Sequence, residues 1–312
     1  MNLKNLFSCI ALPCLIILLC SSPTLSSGSS GTFSLSPDED VFGSVSEYII
    51  RDNKETLTEL AINNDLGYNE IVDSNKGIDP WYPGRGARVV IPTSWILPDI
   101  PHKYKIKTGA GNLVVLNLTE LRLYLLKRDK GRLIVTTFPV GIGREGFDTP
   151  SGMFRIIEKL KDPVWIIPAS FRDEYPELPD IVPPGPENPL GQYALRLSNP
   201  QYLLHGTNKP LGVGRRVSHG CLRMYPADIE RLYRMTKVGD NVLILYQPVK
   251  IGLRGKTLYI EVHQDYRNNK ELFQEAVNLL RRRNLLKITD LNILYSAINE
   301  KSGIPVRLTS AE

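Results

Sequence analysis

Two histidines and one cysteine stand close together in this sequence and are the residues best suited to do chemistry. His205 lies sixteen positions before Cys221 (221 − 205), and His219 lies two positions before it (221 − 219). The thiolate of a cysteine is a nucleophile, and an imidazole can accept the thiol proton near neutral pH. A zinc site is the competing use of these side chains, but the His-x-Cys spacing is unusual for zinc and no fourth ligand is evident. The pattern therefore favours covalent thiol catalysis without a metal.

The composition is that of an ordinary globular protein and argues against two classes of ligand. The formal net charge of +5 is not concentrated in a basic stripe, so nucleic acid is not implied. Gly141-Ile142-Gly143 lacks the third glycine and the following helix of a dinucleotide-binding loop. We therefore expect no cofactor.

The distribution of cysteines supports a reactive thiol. Cys9, Cys14 and Cys20 lie in the first twenty residues, and Cys221 is the only other cysteine. Residues 1–27 combine an early lysine, a short apolar run and a serine-rich end, which predicts a secretory signal peptide rather than a stable membrane span. Removal of the leader would leave an exported chain with one unpaired cysteine, whose usual uses are reactivity or an intermolecular bond. A buried structural cysteine is the alternative.

A lipid anchor on Cys20 is a variant of the same interpretation of the leader. Lipoprotein cleavage normally requires a small residue directly before the lipidated cysteine, and Leu19 is a poor fit at that position. We therefore favour a soluble exported product over a lipid-anchored one.

Composition and patterning divide the rest of the chain into five segments. Residues 28–46 are rich in Ser, Gly, Thr and Pro, which predicts a flexible linker, and residues 93–111 contain prolines that predict a second linker. Residues 47–92 predict a small compact unit, and residues 112–247 are dominated by strand patterns. Residues 248–312 combine a strand pattern with a helical one, which predicts a C-terminal α/β extension.

The unit at 47–92 has the pattern of a strand, two helices and a second strand. A short strand pattern at 48–50 is followed by Thr56-Leu57-Thr58-Glu59, which matches a helix capping box. A second short helix is indicated at 69–75, and a strand at 88–92 closes the unit. The predicted order of elements is therefore βααβ.

This unit resembles a LysM module. The resemblance is carried by the stretches Lys-Glu-Thr-Leu, Tyr-Asn-Glu-Ile-Val-Asp-Ser-Asn and Gly-Ala-Arg-Val-Val-Ile-Pro, and it departs at Lys54-Glu55, where LysM modules commonly have Gly-Asp. It implies binding of the N-acetylglucosamine-containing glycan of peptidoglycan through loops at one end of the helices. A module that no longer binds sugar is the alternative. The implied glycan contacts are Asp52, Asn53, Thr56, Gly77, Ile78 and Asp79.

The strand-rich segment resembles the L,D-transpeptidases of the YkuD (ErfK/YbiS) family. The motifs that carry this likeness are His205-Gly206-Thr207, Ser218 to Met224, Gly141 to Gly143, Thr149 to Phe154, Pro163-Val164-Trp165 and Pro183 to Gly191. The likeness implies a mainly β catalytic domain, a YkuD-like β-sandwich with few helices, beside the βααβ unit and the C-terminal α/β appendage. His102 and His263 lie outside these motifs, and we expect them to be structural.

The resemblance also implies roles for the residues of the site. Cys221 would be the nucleophile, His205 the proton acceptor and donor, and His219 a supporting residue. Backbone N–H groups beside Cys221 could stabilise an oxyanion, and Arg223 could hold a substrate carboxylate or pair with an internal acid. The implied substrate-binding or oxyanion residues are Ser218, Gly220, Arg223, Gly206 and Thr207.

The family implies acyl transfer on peptidoglycan. Formation of a thioester with a tetrapeptide stem would release D-Ala. The acyl group would then pass to a stem amine, giving a 3-3 cross-link, to a lipoprotein lysine, or to water, as in a carboxypeptidase. The motif does not separate these acceptors. A non-catalytic wall-binding protein would predict loss of Cys221 or His205, and both are present. The expected partners are peptidoglycan and a wall-anchored lipoprotein, and the expected location is the periplasm of a Gram-negative-type bacterium.

Overall fold

The structure is a computed structural model that describes residues 31–101, 111–172, 174–177, 179–268 and 271–309. The predicted leader with its three cysteines and His102 lie outside the described residues. Within these ranges, no helix combines the length and the apolar character needed to cross a membrane.

The described residues form strands, six α-helices and two short 3-10 turns. The strands are β1 (Thr32–Leu35), β2 (Val41–Gly43), β3 (Ser46–Ile49), β4 (Arg88–Ile91), β5 (Ser94–Ile96), β6 (Leu113–Asn117), β7 (Arg122–Asp129), β8 (Arg132–Pro139), β9 (Ile142–Gly143), β10 (Gly152–Lys161), β11 (Trp165–Ile166), β12 (Ile181–Val182), β13 (Tyr193–Leu197), β14 (Leu203–His205), β15 (Arg216–Ser218), β16 (Leu222–Arg223), β17 (Asn241–Leu245), β18 (Val249–Arg254), β19 (Thr257–Val262) and β20 (Val306–Arg307). The helices are α1 (Leu57–Asn63), α2 (Tyr68–Asp73), α3 (Ala169–Arg172), α4 (Pro226–Met235), α5 (Leu272–Arg282) and α6 (Leu291–Glu300), and the 3-10 turns are Pro210–Gly212 and Leu286–Ile288.

A nine-stranded sheet in the order β1-β8-β7-β6-β17-β10-β13-β14-β16 is the framework of the catalytic region. Strand β6 runs parallel to β17, β14 runs parallel to β16, and the remaining neighbours are antiparallel. Successive side chains of a strand point to opposite faces. In β6, Val114 and Leu116 therefore join the core under α4, whereas Leu113 and Val115 join a core shared with the N-terminal unit. The predicted mainly β fold is confirmed.

The N-terminal unit has the predicted βααβ order of elements. Strands β3 and β4 pair antiparallel, with Ser46 opposite Ile91. The Thr56 side chain accepts a hydrogen bond from the backbone of Glu59, whose side chain in turn accepts from the Thr56 N–H, so the capping box that starts α1 is complete. The likeness to a LysM module stays a prediction.

The two predicted linkers are wrong over part of their length. Residues 28–46 contain β1, which pairs with β8, and β2, which pairs with β5 at 94–96 inside the second predicted linker. These segments are held because their few apolar side chains are buried; the Phe42 ring, for example, lies 5.8 Å from the Trp95 ring. The low apolar fraction predicts flexibility, but a few buried aromatic side chains are enough to hold these segments against the rest of the protein.

The C-terminal extension forms the predicted α/β unit. Strands β18, β19 and β20 make an antiparallel sheet, and α5 and α6 pack on it around a core that includes Leu258, Ile260, Leu280 and Leu294. Lys250 of β18 reaches out of this unit and is buried between the carboxylates of Glu120 and Glu261. The extension is therefore joined to the catalytic region by buried charges, and its Tyr266 also packs against the catalytic core.

Candidate active site

Two parallel strands bring the cysteine and the first histidine together at one edge of the sheet. In the pair β14–β16, Leu204 lies opposite Leu222 and His205 lies opposite Arg223. Cys221 stands directly before β16, is partly buried and donates from Sγ to the carbonyl of Gln201 at 3.5 Å. The pairing of these two strands therefore brings residues sixteen positions apart in sequence to the same edge of the sheet.

The loop that carries Cys221 is fixed by its own side chains. The Ser218 hydroxyl donates to the carbonyl of Cys221 at 2.6 Å and accepts from the N–H of Gly220 at 3.1 Å. Gly220 has φ +106, and a Cβ there would lie 2.9 Å from Cε1 of Tyr202. Only glycine fits this position without strain. The N–H of Gly220 already donates to the Ser218 hydroxyl.

Thr149 holds the same loop from outside. Its hydroxyl donates to the carbonyl of Gly220 at 2.8 Å and accepts from the N–H of Gly143 at 3.0 Å. Thr149 is fully buried. The motif Thr149 to Phe154 includes this residue, but the sequence alone gives it no role in the site.

His205 is held as a neutral base. Its Nδ1 lies 2.6 Å from the carbonyl of Gly206, which can only accept, so Nδ1 carries the proton and Nε2 keeps the lone pair. Burial lowers the pKa of His205 to about 4, with the positive charge of Arg223 acting in the same direction and backbone carbonyls of Gly206 and Pro189 opposing it. The ring is therefore unprotonated at neutral pH.

The thiol of Cys221 is also held in its neutral form. Burial raises its pKa, while a hydrogen bond from the backbone N–H of Leu203 and the positive charge of Arg223 act against that rise. A neutral thiol and a neutral imidazole can react together if the proton moves to nitrogen as the sulfur attacks. The resting arrangement is therefore suited to general-base activation of the thiol.

The charge of Arg223 acts on both His205 and Cys221. Burial lowers the pKa of its guanidinium, and no described carboxylate lies within 4.0 Å of it. A Cβ on Gly212 would lie 3.3 Å from its Nη1, which places the guanidinium against the 3-10 turn. An internal acid as the partner of Arg223 is therefore absent from the described part of the chain.

His219 makes its contacts away from the thiol. Its ring packs between the rings of Phe147 (centroids 4.4 Å apart) and Phe171 (3.8 Å), and its Nε2 lies 2.9 Å from a carboxylate oxygen of Glu174. Hydrogen bonds from His219 and then from Arg144 lower the pKa of Glu174 to about 2. His219 thus connects the Cys221 loop to the segment between β11 and β12. The sequence motifs do not indicate these contacts.

Gly206 and Thr207 form the buried turn behind His205. The N–H of Gly206 donates to the carbonyl of Tyr193 at 3.1 Å, and a Cβ on Gly206 would lie 3.3 Å from Ile229. The Thr207 hydroxyl accepts from the N–H of Lys209 at 2.9 Å. These contacts support the backbone at His205.

The candidate glycan contacts lie on two adjacent loops of the N-terminal unit. Asn53 Oδ1 accepts from the N–H of Arg85 at 3.0 Å, which ties the first loop to the second. Asp52 accepts from the N–H of Lys54, and Asp79 accepts from those of the exposed Trp81 and Tyr82. Thr56 caps α1, Gly77 has φ +88, and Ile78 packs against the core shared with the sheet.

The described residues contain one group whose ligand atoms lie within 4.8 Å of one another, as a metal would require: Glu120, Glu261 and His263. The ammonium of Lys250 already lies between the two carboxylates. His263 Nε2 lies 2.7 Å from Glu261, so the histidine outside the motifs belongs to a buried charge network. His205, His219 and Cys221 do not form such a group.

Comparison with known proteins places this chain in a class. The sequence model of the YkuD family, described as the L,D-transpeptidase catalytic domain, matches residues 111–244. This range contains β6 to β16 with Cys221 and His205, and most of β17.

Relatives of similar length extend the match beyond that domain. The chain is 35% identical over 269 residues to "Probable L,D-transpeptidase YbiS" of Escherichia coli K12, covering 82% of this chain and 84% of the relative. It is 32% identical over 273 residues to "Probable L,D-transpeptidase ErfK/SrfK" of Salmonella typhimurium, with 83% and 84% covered. The chain belongs to the L,D-transpeptidase family and is an enzyme of this type. Members of this family act on peptidoglycan.

Proposed function

We propose that this protein is a cysteine-dependent L,D-transpeptidase that acts on tetrapeptide stems of peptidoglycan through a thioester on Cys221. The observation that carries the proposal is the hydrogen bond from His205 Nδ1 to Gly206, which leaves Nε2 free to take a proton. The parallel pairing of β14 with β16 supports the proposal, because His205 ends β14 and Cys221 lies directly before β16.

The first half of the reaction forms the thioester. Sγ of Cys221 attacks the carbonyl of the L-centre of the stem diamino acid while Nε2 of His205 accepts the thiol proton. Backbone N–H groups of His219 and Cys221 are the oxyanion donors we propose, since Gly220 donates to Ser218. The tetrahedral intermediate collapses as the imidazolium gives its proton to the amine of the departing D-Ala.

The second half transfers the acyl group. Neutral His205 takes a proton from the incoming amine, the amine attacks the thioester, and the sulfur of Cys221 leaves and recovers the proton from the imidazolium. Arg223, which has no carboxylate partner among the described residues, binds a carboxylate of the donor stem. The guanidinium therefore orients the stem next to the nucleophile.

The acceptor is a primary amine. A stem diamino acid gives a 3-3 cross-link, and a lysine of a wall-anchored lipoprotein gives an attached protein; water would make the protein an L,D-carboxypeptidase. The reaction takes place in the periplasm after removal of the leader at 1–27. The βααβ unit binds the glycan of peptidoglycan.

The test is incubation of the purified protein with tetrapeptide-bearing muropeptides. We expect release of D-Ala and a mass increase on Cys221 that corresponds to the stem thioester, both abolished by Cys221→Ala. Absence of both products from protein that is folded and has a free thiol contradicts the proposal. Profiling the products with and without a lysine-bearing acceptor separates cross-linking, protein attachment and hydrolysis.

A further inference from the structure

Exposed aromatic side chains connect the N-terminal unit to the loop that leads to Cys221. Tyr82 is 80% exposed and Trp81 is 41% exposed. The ring of Tyr68 lies 6.3 Å from that of Trp81, and the guanidinium carbon of Arg215 lies 4.2 Å from the centre of the Tyr68 ring. Arg215 stands six positions before Cys221 (221 − 215). We call Tyr68, Trp81, Tyr82 and Arg215 the aromatic strip.

The backbone at the exposed end of the aromatic strip is held by hydrogen bonds. Asp79 Oδ1 accepts from the N–H groups of Trp81 at 2.8 Å and Tyr82 at 2.9 Å, and the carbonyl of Pro80 accepts from the N–H of Leu57 at 2.9 Å. Tyrosine and tryptophan side chains offer a large contact area at a small entropic cost on binding, because each has only two rotatable side-chain bonds. Two such side chains exposed side by side on a fixed backbone indicate a recognition surface rather than a folding contact.

The aromatic strip is also fixed relative to the catalytic region. The N–H of Tyr68 donates to the carbonyl of Val213 at 3.2 Å, and that of Asn69 donates to Gly214 at 3.1 Å. A Cβ on Gly214 would lie 2.3 Å from Cα of Gly67, so the two backbones are in direct contact. A ligand on the strip would therefore keep a constant position with respect to the Cys221 loop.

We propose that the aromatic strip binds the glycan strand that carries the donor stem and so holds the stem in register with Cys221. This inference rests on the proposed function, because a stem peptide in the site is covalently attached to a glycan that must lie beside it. Apolar C–H faces of sugar rings pack on aromatic rings, and sugar hydroxyl and acetamido oxygens can accept from Arg215. Tyr68 on α2 and Arg215 of the catalytic region lie outside the two loops that the LysM likeness implies.

The test compares two substrates of the full chain by D-Ala release: a tetrapeptide attached to a glycan oligomer and the free tetrapeptide. We expect Tyr82→Ala and Trp81→Ala each to lower the ratio of kcat/KM for the glycan-linked over the free substrate by about tenfold, because the strip touches only the glycan. Tyr295→Ala removes a 62% exposed tyrosine from α6 and is the matched control. It should leave the ratio unchanged.

An unchanged ratio in both strip variants overturns the inference. Failure of the unmodified protein to release D-Ala from the free tetrapeptide is a different result, and it contradicts the proposed function instead. Binding of N-acetylglucosamine oligomers, followed by tryptophan fluorescence, is an independent measurement that needs no turnover. Equal affinity of Tyr82→Ala and the unmodified protein for these oligomers would also overturn the inference.

Discussion

Burial sets the protonation states of Cys221 and His205, the two side chains to which we assign the reaction. It raises the pKa of Cys221 and lowers that of His205, so both effects work against a thiolate–imidazolium pair in the free enzyme. Arg223 lowers the pKa of both groups. A substrate carboxylate on Arg223 would offset its charge and make His205 a stronger base when the donor is bound. Substrate binding and base strength would then be linked through one guanidinium.

The pH profile tests this arrangement. Because the pKa of His205 is about 4, kcat/KM should fall as the pH drops through about 4, where the base becomes protonated. Arg223→Gln removes a positive charge, raises the pKa of His205 and should move this acid limb to higher pH. The control Arg155→Gln changes an exposed arginine of β10. An acid limb that stays in place in Arg223→Gln would show that the two charges do not interact.

A single added methyl group at Gly220 should disable the site. Gly220→Ala combines a strained φ of +106 with a 2.9 Å approach to Tyr202, so we expect kcat to fall by about tenfold or more. Gly131→Ala is the matched control, since Gly131 has φ +80 but nothing within 4 Å of its Cβ position. Steady-state D-Ala release measures both variants. Equal activity would mean that the Cys221 loop tolerates another backbone path.

At the scale of elements, the nucleophile loop depends on neighbours from three parts of the chain. Thr149 holds its backbone, His219 connects it to the segment that carries Phe171 and Glu174, and the stretch that precedes it rests on α2 through Gly214. The loop is too short to form its own core. Its geometry is therefore set by these surrounding contacts.

The contact between Gly67 and Gly214 can be tested directly. Gly214→Ala adds a Cβ 2.3 Å from Gly67 at a φ of +74, so the loop and α2 must separate. We expect a loss of about 2 kcal/mol in the free energy of unfolding and a lower kcat. Gly84→Ala has a similar φ of +81 with no atom within 4 Å, and urea unfolding should show a much smaller loss. Equal losses would mean that backbone strain alone is responsible.

At the scale of the whole molecule, the N-terminal unit and the catalytic sheet share a core. Leu57 and Ile71 of the unit belong to the same buried cluster as Val115 and Leu243 of the sheet. The guanidinium of Arg122 is fully buried, and its Nε and Nη2 donate to Glu70 at 2.6 and 2.8 Å. The βααβ unit is therefore a built-in part of the enzyme.

Breaking the buried ion pair should destabilise the protein far more than breaking an exposed one. Glu70→Gln leaves the charge of Arg122 buried without its carboxylate, and we expect a loss of about 3 kcal/mol in urea unfolding. Glu47→Gln removes the exposed partner of Arg88, 3.6 Å away, and should cost less than about 1 kcal/mol. Similar losses in the two variants would indicate that Glu70 does not stabilise the interface.

Much of this protein could be predicted from the order of its residues. Local patterns predicted the βααβ order, the mainly β catalytic region and the α/β extension, because hydrophobic periodicity and capping are properties of short stretches. The motif around Cys221 predicted the family, since a thiol, an imidazole and glycines at fixed spacing are needed together. These features depend on neighbours along the chain.

Other features were decided only by the tertiary structure. Strand pairing with β8 and β5 ordered the two predicted linkers, because the stabilising partners lie far away in sequence. The contacts of His219 with Phe171 and Glu174 also join residues that are far apart in sequence. The neutral state of the thiol depends on burial and on nearby charges, which only the folded structure sets. The sequence by itself determined the family and the candidate reacting groups, and the tertiary structure decided their protonation, their supporting contacts and the surface beside them.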